Sequence, residues 1–250
     1  MTVADNGAEG VTVQLALRWL DSMDLGAAES LAASVRERAR AMHRPRDRQR
    51  FLAGRLAARA LVAGLLHVPE DAVSAVSHCR NCVHGNNGSH GEPHYFVDGV
   101  PVPVRVSFSR SGAWLAAAAA PVQVGVDLED ASAEVFSGSG LEDVMATVRE
   151  KAAIAALPAT DRPRLRAQLW VRKEALLKAS GSGLRVDPRS VDTMRTAGGG
   201  PALRAYDVGP ERMGLPADFV LSYAVGAPHH RTVVLPAVLP AVLPAGRSNL

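Results

Sequence analysis

The sequence predicts a fold of mixed helices and strands, large enough for one domain or two intimately packed halves. Two long stretches have the apolar spacing of helices, and several short apolar runs have the spacing of strands. The 250 residues, 47% of them hydrophobic, can bury a sizeable core. The helical stretches are RQRFLAGRLAARALVAGLL and LRAQLWVRKEALLKAS, and the strand-like runs lie near VRVSFS, WLAAAAA, VGVDLE, DFVLSYAV and HRTVVLP.

The N-terminal elements follow from caps and helix breakers. After a frayed tail at residues 1–10, a mixed pattern is expected to pass into a helix that opens near residues 27–30 and runs to Met42. Pro45 ends that helix, and Asp47 is the predicted N-cap of the next one. The apolar stripe of this second helix is predicted to include Phe51, Leu52, Leu56, Leu61, Leu65 and Leu66.

The remaining elements are separated by polar, glycine-rich stretches. Residues 77–94 predict a polar loop, and FSGSG divides the strands near VRVSFS, WLAAAAA and VGVDLE from a helical region at 141–157. The second long helix is expected to stop at Gly181-Ser182-Gly183, which suits a C-cap. Two strands follow, and the proline-spaced end predicts an extended or disordered tail.

Composition and charge restrict the class of protein. The start MTVADNG lacks the features of a signal peptide, the longest apolar run is too short to span a bilayer, and two cysteines argue against a disulfide scaffold. We therefore expect a cytoplasmic enzyme or binding domain. The arginine-rich run from Arg36 to Arg50 indicates either a solvated helical face or a phosphate or nucleic-acid site. Low aromatic content and the lack of a nucleic-acid-reading motif weaken the nucleic-acid alternative.

The segment VGVDLED, residues 124–130, places two carboxylates at the end of an apolar strand. Alternate side chains of a strand share a face, so Asp127 and Glu129 point the same way, roughly 6.5 Å apart. In WVRKEALLKASGSGL, Trp170, Glu174 and Lys178 are four residues apart and share one helical face.

These acids can be interpreted in two ways. If the three carboxylates converge, they need a cation, because like charges at close range disfavour joint ionisation. Carboxylate oxygens suit Mg²⁺, which also takes water and substrate phosphate oxygens as ligands. The alternative is a surface strand end and an ordinary Glu–Lys helix pair.

The two motifs together resemble those of the 4′-phosphopantetheinyl transferases. GVDLE and WVRKEALLKASGSGL are most similar to the surfactin-synthetase-type branch, whose forms are G-[IV]-D-[IVL]-E and W-x-x-K-E-[AS]-x-x-K-x-x-G-x-G-L. DRQRFLAGRLAAR is similar to the family's first helix, HGEP at residues 90–93 to its H-G-K-P loop, and VSFSRSG to its S-x-S-H-S-G segment. The similarity covers roughly residues 44–190, in the family's order.

The resemblance implies an α+β fold of two similar halves packed as a pseudo-dimer. We place the N-terminal half at 11–135 and the C-terminal half at 136–235, with residues 236–250 as a tail and the ligands in the cleft between the halves. The implied reaction moves phosphopantetheine from coenzyme A to a serine of an apo acyl or peptidyl carrier protein, with Mg²⁺, releasing 3′,5′-ADP. Such carriers serve polyketide or nonribosomal peptide biosynthesis. We expect a monomer with no nucleic-acid or membrane partner.

The same resemblance assigns roles to individual residues. Asp127, Glu129 and Glu174 would hold Mg²⁺, Glu174 would take the serine proton, and Lys178 would offset charge on the leaving phosphate. Arg46 and Arg50 fall where the family grips the 3′-phosphate of coenzyme A. The residues implied to bind coenzyme A are therefore Arg46, Arg50, Glu92, Pro93, Ser109, Arg110 and Lys178.

Two residues depart from the family pattern. Glu92 stands in place of a lysine, and Arg110 in place of a histidine that contacts coenzyme A phosphate in the family. An arginine can contact phosphate with a permanent charge and a fork of donors. The alternative is a degenerate or repurposed relative that binds coenzyme A without turnover.

The polar loop carries a competing metal motif. Cys79 and Cys82 have zinc-ligand spacing, as have His90 and His94, but the gap between the two pairs is shorter than in a usual zinc finger. We favour a polar loop that leads to the HGEP segment.

Overall fold

A computed structural model describes residues 11–78, 92–194, 203–227 and 229–235. The strands are β1 (Val11–Trp19), β2 (Val73–His78), β3 (Glu92–Val97), β4 (Val100–Pro101), β5 (Arg105–Ser111), β6 (Trp114–Ala120), β7 (Val124–Asp130), β8 (Arg204–Val208), β9 (Phe219–Val225) and β10 (His230–Val234). The α-helices are α1 (Ala33–Arg40), α2 (Pro45–Leu66), α3 (Glu134–Ser137), α4 (Gly140–Met145), α5 (Val148–Ala155), α6 (Arg162–Ala179) and α7 (Pro210–Met213). Short 3₁₀ turns lie at Leu20–Ser22, Gly26–Ser30, Glu70–Ala72, Gly183–Arg185 and Pro188–Ser190.

The strands form three sheets. The first has the order β10-β1-β6-β5, the second β2-β3-β4 and the third β7-β9-β8. Strand β10 is parallel to β1, and the other pairings are antiparallel. The mixture of helices with mainly antiparallel sheets confirms the predicted α+β class.

Two parts of the described chain repeat one topology. In the first part β1 is followed by the long helix α2 and then the hairpin β5–β6, and the sheet order is β1-β6-β5. In the second part β7 is followed by the long helix α6 and then β8 and β9, and the sheet order is β7-β9-β8. The two similar parts that the resemblance implies are therefore visible in the topology, although the sequence has no readable repeat.

One hydrophobic cluster joins the four-stranded sheet to the sheet β7-β9-β8. Strands β1 and β6 contribute Leu15, Leu17 and Trp114, and the same cluster contains Leu128 of β7 and Tyr223 of β9. Strand β7, which the sequence analysis placed in the N-terminal half, pairs with β9 over its whole length. The division of the chain at residues 135 and 136 stays a prediction, but it separates β7 from the sheet to which it belongs.

The second helix begins three residues earlier than predicted. Pro45 occupies the first turn of α2, where its missing N–H costs no hydrogen bond, and Arg44 takes the N-cap position that was predicted for Asp47. The helix ends at Leu66, and its C-cap His67 adopts a left-handed conformation with φ 53° and donates its backbone N–H to the carbonyl of Ala63. Small residues make up more of the buried face than the predicted leucine stripe does; the buried members are Ala53, Gly54, Leu56, Ala57, Ala58, Arg59, Leu61, Val62 and Ala63.

The region before α2 also differs from the prediction. The mixed pattern contains strand β1, and the helix through the arginines begins only at Ala33. The predicted opening at residues 27–30 forms a 3₁₀ turn instead. Strand β1 lies between β10 and β6 and buries residues of both faces, so it lacks the alternation by which a half-exposed strand is recognised.

Helix α6 matches its prediction closely. It ends at Ala179, and Gly181 follows with φ +67°, the left-handed conformation that a helix C-terminus favours. The predicted strands at residues 105–130 are confirmed as β5, β6 and β7, and the two near the C-terminus as β9 and β10. The predicted tails, 1–10 and 236–250, lie outside the described residues. No helix in the described part of the chain has both the length and the apolar character that a membrane crossing requires.

Candidate functional site

The predicted acids lie where strand β7 packs against helix α6. Gly125 makes the close approach possible, because a Cβ built on it would lie 2.0 Å from the carbonyl oxygen of Ala175 and 2.6 Å from the backbone nitrogen of Ala179. Both atoms belong to the backbone of α6, so they cannot rotate away as a side chain would. The glycine of the GVDLE motif therefore sets the spacing between the strand that carries Asp127 and the helix that carries Glu174.

Three serines of strand β5 connect it to β7. Ser107, Ser109 and Ser111 share one face of β5 because alternate residues of a strand point the same way. Ser107 Oγ accepts a hydrogen bond from the backbone N–H of Val126 at 3.1 Å, and Ser111 Oγ accepts one from Asp130 at 3.2 Å. These strands belong to different sheets, so serine hydroxyls join their facing edges here.

Asp127 lies at the centre of the site. The residue is buried, and its Oδ1 accepts hydrogen bonds from Ser109 Oγ and from Lys178 Nζ, each at 2.6 Å. Lys178 also donates to the carbonyl oxygen of Val126 at 3.1 Å. The second carboxylate oxygen, Asp127 Oδ2, is buried and has no hydrogen-bond partner in the described part of the chain. A buried carboxylate oxygen without a donor is costly and indicates a place for a cation or a donor from a ligand.

Glu129 lies in surroundings that disfavour the ionised form of its carboxyl. The pKa of its carboxyl is raised to about 7, mainly by burial and next by the neighbouring charge of Asp127. A hydrogen bond from Ser111 Oγ to Glu129 Oε2, at 3.1 Å, and the charge of Lys178 oppose this shift. The charge of Glu174 also raises the pKa of Glu129, so both carboxyls act in one electrostatic site.

Glu174 completes the cluster from the helix side. Its Oε1 is buried and, among the described residues, has no hydrogen-bond partner. Burial raises the pKa of the Glu174 carboxyl, the charge of Lys178 lowers it, and the charge of Asp127 raises it. The acid cluster, defined here as Asp127, Glu129 and Glu174, thus combines two unpaired buried oxygens with two carboxyls that resist ionisation.

The chemistry of the acid cluster fits a hard cation such as Mg²⁺. Over the described ranges, no three His, Cys, Asp or Glu side chains are grouped tightly enough to hold a metal ion by themselves as they stand. In the present arrangement the ammonium of Lys178 supplies the counter-charge to Asp127. The two unpaired oxygens and the raised pKa values of two of the acids nevertheless indicate that the cluster has room for further positive charge.

The two arginines predicted to grip a phosphate are engaged with an aspartate. Arg50 donates from Nε to Asp21 Oδ1 at 2.6 Å and from an η nitrogen to Oδ2 at 2.9 Å. Arg46 donates to the same Oδ2 at 2.8 Å. The hydrogen bond from Arg50 is the main reason why the pKa of Asp21 falls to about 2. Two guanidinium groups share one carboxylate here, so a net positive charge remains.

The other residues implied to bind coenzyme A lie on β3 and β5. Ser109 contacts Asp127, as described above. Arg110 points to the opposite face of β5, is exposed, and forms no ion pair with the side chains that the structure describes. Pro93 belongs to β3 and is half-buried, and Glu92 is the first residue of that strand. The possible zinc ligands Cys79, Cys82 and His90 lie outside the described residues, whereas His94 is part of β3.

A fully buried ion pair next to the site was not predicted. Lys173, which precedes Glu174 in the helix, lies 2.8 Å from Glu150 Oε2, and both side chains are 0% exposed. Glu150 belongs to α5, and Thr147 and the same glutamate form a capping box at the start of that helix. The capping pattern T-x-x-E is visible in the sequence and could have identified Glu150, but not its partner.

A second unpredicted feature is a pocket of about 240 Å³ beside α2. Arg55 and Arg59 line it, four residues apart on the helix, together with residues of β2 and β3. The spacing of these two arginines is readable from the sequence, but two basic residues inside an apolar helix give no sign of a cavity.

Comparison with known proteins agrees with the position of the acid cluster. No curated protein matches the chain. Residues 123–224, less than half of the chain, match the family model described as the 4′-phosphopantetheinyl transferase superfamily. That stretch begins just before β7, contains α6, and ends within β9, so it includes all three acids and Lys178. The match supports this superfamily for the part of the chain that carries the acid cluster.

Proposed function

We propose that the protein transfers the phosphopantetheine group of coenzyme A to a serine of an apo acyl or peptidyl carrier protein, with Mg²⁺ as the metal. The observation that carries the proposal is the acid cluster beside Lys178, with two buried and unpaired carboxylate oxygens, inside the stretch that matches the superfamily. The similarity of the motifs over residues 44–190 also favours the surfactin-synthetase-type branch. We further propose that the protein is a cytoplasmic monomer with no nucleic-acid partner.

The acid cluster would hold the metal through Asp127, Glu129 and Glu174. A bound Mg²⁺ would neutralise charge on the pyrophosphate of coenzyme A and polarise its β-phosphorus. Ser109 and Ser111 keep two of the three carboxylates in place by donating hydrogen bonds to them. The chain's main contribution is then positioning and charge neutralisation, which is how phosphoryl transfer is generally catalysed.

The proton and the leaving group are assigned to two residues of α6. The serine oxygen of the carrier protein forms a bond to the β-phosphorus, and the bond from that phosphorus to the bridging oxygen breaks, so that 3′,5′-ADP leaves. Glu174 accepts the serine proton, and its raised pKa makes the ionised carboxylate a stronger base than an exposed glutamate. Lys178 is the cation that stabilises the charge developing on the leaving phosphate.

Coenzyme A would enter the site with its nucleotide end toward the N-terminal part of the chain. Arg46 and Arg50 share a single aspartate, which leaves positive charge for the 3′-phosphate. Arg110 is exposed and forms no ion pair with described side chains, so its guanidinium is available to a phosphate. Pro93 and Glu92 at the start of β3 would contact the nucleotide, as the resemblance implies.

One arrangement favours a second candidate, a relative that binds coenzyme A without transferring phosphopantetheine. Lys178 already neutralises Asp127, and arginine and glutamate replace the family's histidine and lysine at residues 110 and 92. A protein of this kind would bind coenzyme A at equilibrium and leave carrier proteins unmodified.

Mass spectrometry of a carrier protein distinguishes the two functions. Apo carrier protein incubated with the chain, coenzyme A and Mg²⁺ should gain the mass of one phosphopantetheine group, and chelation of Mg²⁺ should prevent the gain. Asp127→Ala and Glu174→Gln should fold but lose the transfer. Asp143→Ala, which breaks an exposed ion pair with Lys151, is the matched control and should keep full activity. Full transfer by folded Asp127→Ala would contradict the assignment of the acid cluster.

A further inference from the structure

The pocket beside α2 lies apart from the residues of the acid cluster. Its walls come from the turn before α1, from α2, and from β2 and β3. The polar groups that line it include Arg55, Arg59, Ser77 and Tyr95, with Asp71 as an acid. A volume of about 240 Å³ is below the ~300–1,000 Å³ that pockets for drug-sized ligands usually have, so the pocket suits a small ligand or one end of a larger one.

Arg59 brings a buried positive charge to this pocket. The residue is 9% exposed, and one η nitrogen donates to Ser30 Oγ at 2.7 Å. Its Nε is buried and has no hydrogen-bond partner among the described residues. No carboxylate of the described chain lies within ion-pair distance of this guanidinium. A buried charge without a counter-ion is costly, so the arrangement calls for an anion.

Arg55 adds a second guanidinium on the same face of α2. It lies 5.2 Å from the ring centroid of Phe51 and 5.6 Å from that of Phe108, and these aromatic faces hold it in place. Burial lowers the pKa of Arg55, because the charged form loses contact with water. The titratable groups near it, among the described residues, are the hydroxyl of Tyr95, which favours the charged form, and Arg38, which disfavours it, and no carboxylate is among them.

We propose that this pocket binds a phosphate monoester, with Arg55 and Arg59 as the groups that contact the phosphate. Guanidinium forks match the geometry of phosphate oxygens, and two cations, one buried and one half-buried, favour a doubly charged anion over chloride or a carboxylate. The hydroxyls of Ser30 and Tyr95 line the same space and can donate further hydrogen bonds. A liquid water occupies about 30 Å³, so the pocket has room for a phosphate together with part of the organic group that carries it.

Asp71 opposes this ligand and provides an internal check. The residue is exposed and lines the pocket, so its carboxylate repels a phosphate that enters. Removing this charge as Asp71→Asn should tighten phosphate binding, whereas removing either arginine should weaken it. A general loss of structure would weaken phosphate binding in all of these variants. Tighter binding in Asp71→Asn together with weaker binding in the arginine variants therefore indicates electrostatic binding in the pocket.

The residues of this pocket are separate from those that carry the proposed transfer reaction. We take the phosphate ester to be a small free metabolite, because the 3′-phosphate of coenzyme A is assigned above to Arg46 and Arg50, neither of which lines this pocket. A competition experiment distinguishes a free metabolite from coenzyme A. If coenzyme A displaces glycerol phosphate from the pocket and dephospho-coenzyme A does not, the bound group is the 3′-phosphate of coenzyme A. Failure of the pocket proposal leaves the carrier-protein assay unaffected, because that assay depends on Asp127 and Glu174.

Calorimetric titration at constant ionic strength tests the proposal. The full chain should bind inorganic phosphate and glycerol phosphate, and Arg59→Met and Arg55→Met should each lose about tenfold or more in affinity. Arg40→Met removes an exposed arginine of α1 and is the matched control, which should bind as the unmodified chain does. Equal binding by all variants, an equal loss in the control, or no binding by the unmodified chain would overturn the proposal.

Thermal unfolding without phosphate provides a second readout. Arg59→Met replaces an uncompensated buried charge with an apolar side chain of similar length, so its midpoint should equal or exceed that of the unmodified chain. Added phosphate should raise the midpoint of the unmodified chain and leave that of Arg59→Met unchanged. A marked fall in the midpoint of Arg59→Met without phosphate would show that Arg59 is structural and would refute the anion site.

Discussion

The buried pair Lys173–Glu150 allows a quantitative prediction about stability. Lys173 Nζ lies 2.8 Å from Glu150 Oε2, donates to the carbonyl of Pro188 at 2.9 Å and also donates to the carbonyl of Val191. Glu150 accepts hydrogen bonds from Thr147 and Thr193 as well, at 2.8–3.1 Å. The pair therefore joins α5, α6 and the segment after α6 in a region with no access to water.

Replacing one partner should cost far more than an average substitution. Lys173→Met leaves the carboxylate of Glu150 buried without its counter-ion, and we expect a loss of about 3–5 kcal/mol in the free energy of unfolding. Glu150→Gln leaves the ammonium of Lys173 with carbonyl acceptors, so a loss of about 2–3 kcal/mol is expected. The double variant removes both charges and should cost at least about 2 kcal/mol less than the sum of the single losses.

Urea unfolding of the four proteins measures these differences in a double-mutant cycle. Arg172→Met is the matched control, because this neighbouring arginine pairs with Asp207 in a partly exposed salt bridge and should cost only about 0–1 kcal/mol. Additive losses in the cycle, or a cost below about 1 kcal/mol for Lys173→Met, would refute the argument that the pair depends on mutual neutralisation.

The same pair predicts acid sensitivity. Burial alone would raise the pKa of Glu150, but hydrogen bonds from Lys173, Thr147 and Thr193 outweigh it and lower the pKa. A carboxyl with a lowered folded pKa stabilises the protein above its ordinary pKa, and that contribution is lost as the pH falls through the folded value. Glu150→Gln should therefore lose stability at neutral pH and show less additional loss on acidification.

Further predictions concern the site. Gly125→Ala forces a Cβ into the backbone of α6 and should lower stability by about 1–3 kcal/mol in urea unfolding, whereas Gly138→Ala, with open space around its Cβ, should be near neutral; equal effects would contradict the close-packing argument. Arg50→Ala should weaken coenzyme A binding by about 1.5–3 kcal/mol and dephospho-coenzyme A binding much less, and an equal calorimetric loss for both would show a structural role. Arg110→Ala should weaken coenzyme A binding at every pH. Arg110→His should bind coenzyme A more weakly as the pH rises from about 6 to 8, because a histidine loses its charge near pH 6.5. Tighter binding in either variant would refute a phosphate contact. The raised folded pKa of Glu129, about 7, means that stability without Mg²⁺ should fall as the pH rises from the ordinary glutamate range through 7; Glu129→Gln should remove this dependence in thermal unfolding, and an unchanged pH profile would contradict the shift.

The sequence predicted the elements whose patterns are local. Helix α6 is followed by the capping Gly181, and its Glu174 and Lys178 are four residues apart. Strand β7 is an apolar run that ends in alternating acids. Both motifs were sufficient to predict that Asp127 and Glu174 come from a strand and a helix. Their convergence could be inferred only from the resemblance, because the 46 residues between them contain no pattern that predicts how the helix packs against the strand.

The features that the sequence did not predict depend on contacts between distant segments. Asp21 pairs with Arg46 and Arg50 across more than 20 residues, and a surface reading of the arginine run gives no partner. The sequence did not predict strand β1, because both of its faces are covered and its apolar residues therefore do not alternate with polar ones. The sequence offered no prediction for Arg59, whose guanidinium is covered by the turn before α1. Long-range packing decides each of these cases, and periodicity carries no information about it.

The shared core has a consequence for how the molecule unfolds. The topology repeats, but Leu15 and Trp114 from the first part pack in the same cluster as Leu128 and Tyr223 from the second. Separating the two parts would expose this cluster on both sides, so neither part retains a complete interior when it is alone. We therefore expect the duplicated architecture to unfold as one cooperative unit, because a fragment that contains a single copy lacks part of the surface against which its strands are buried.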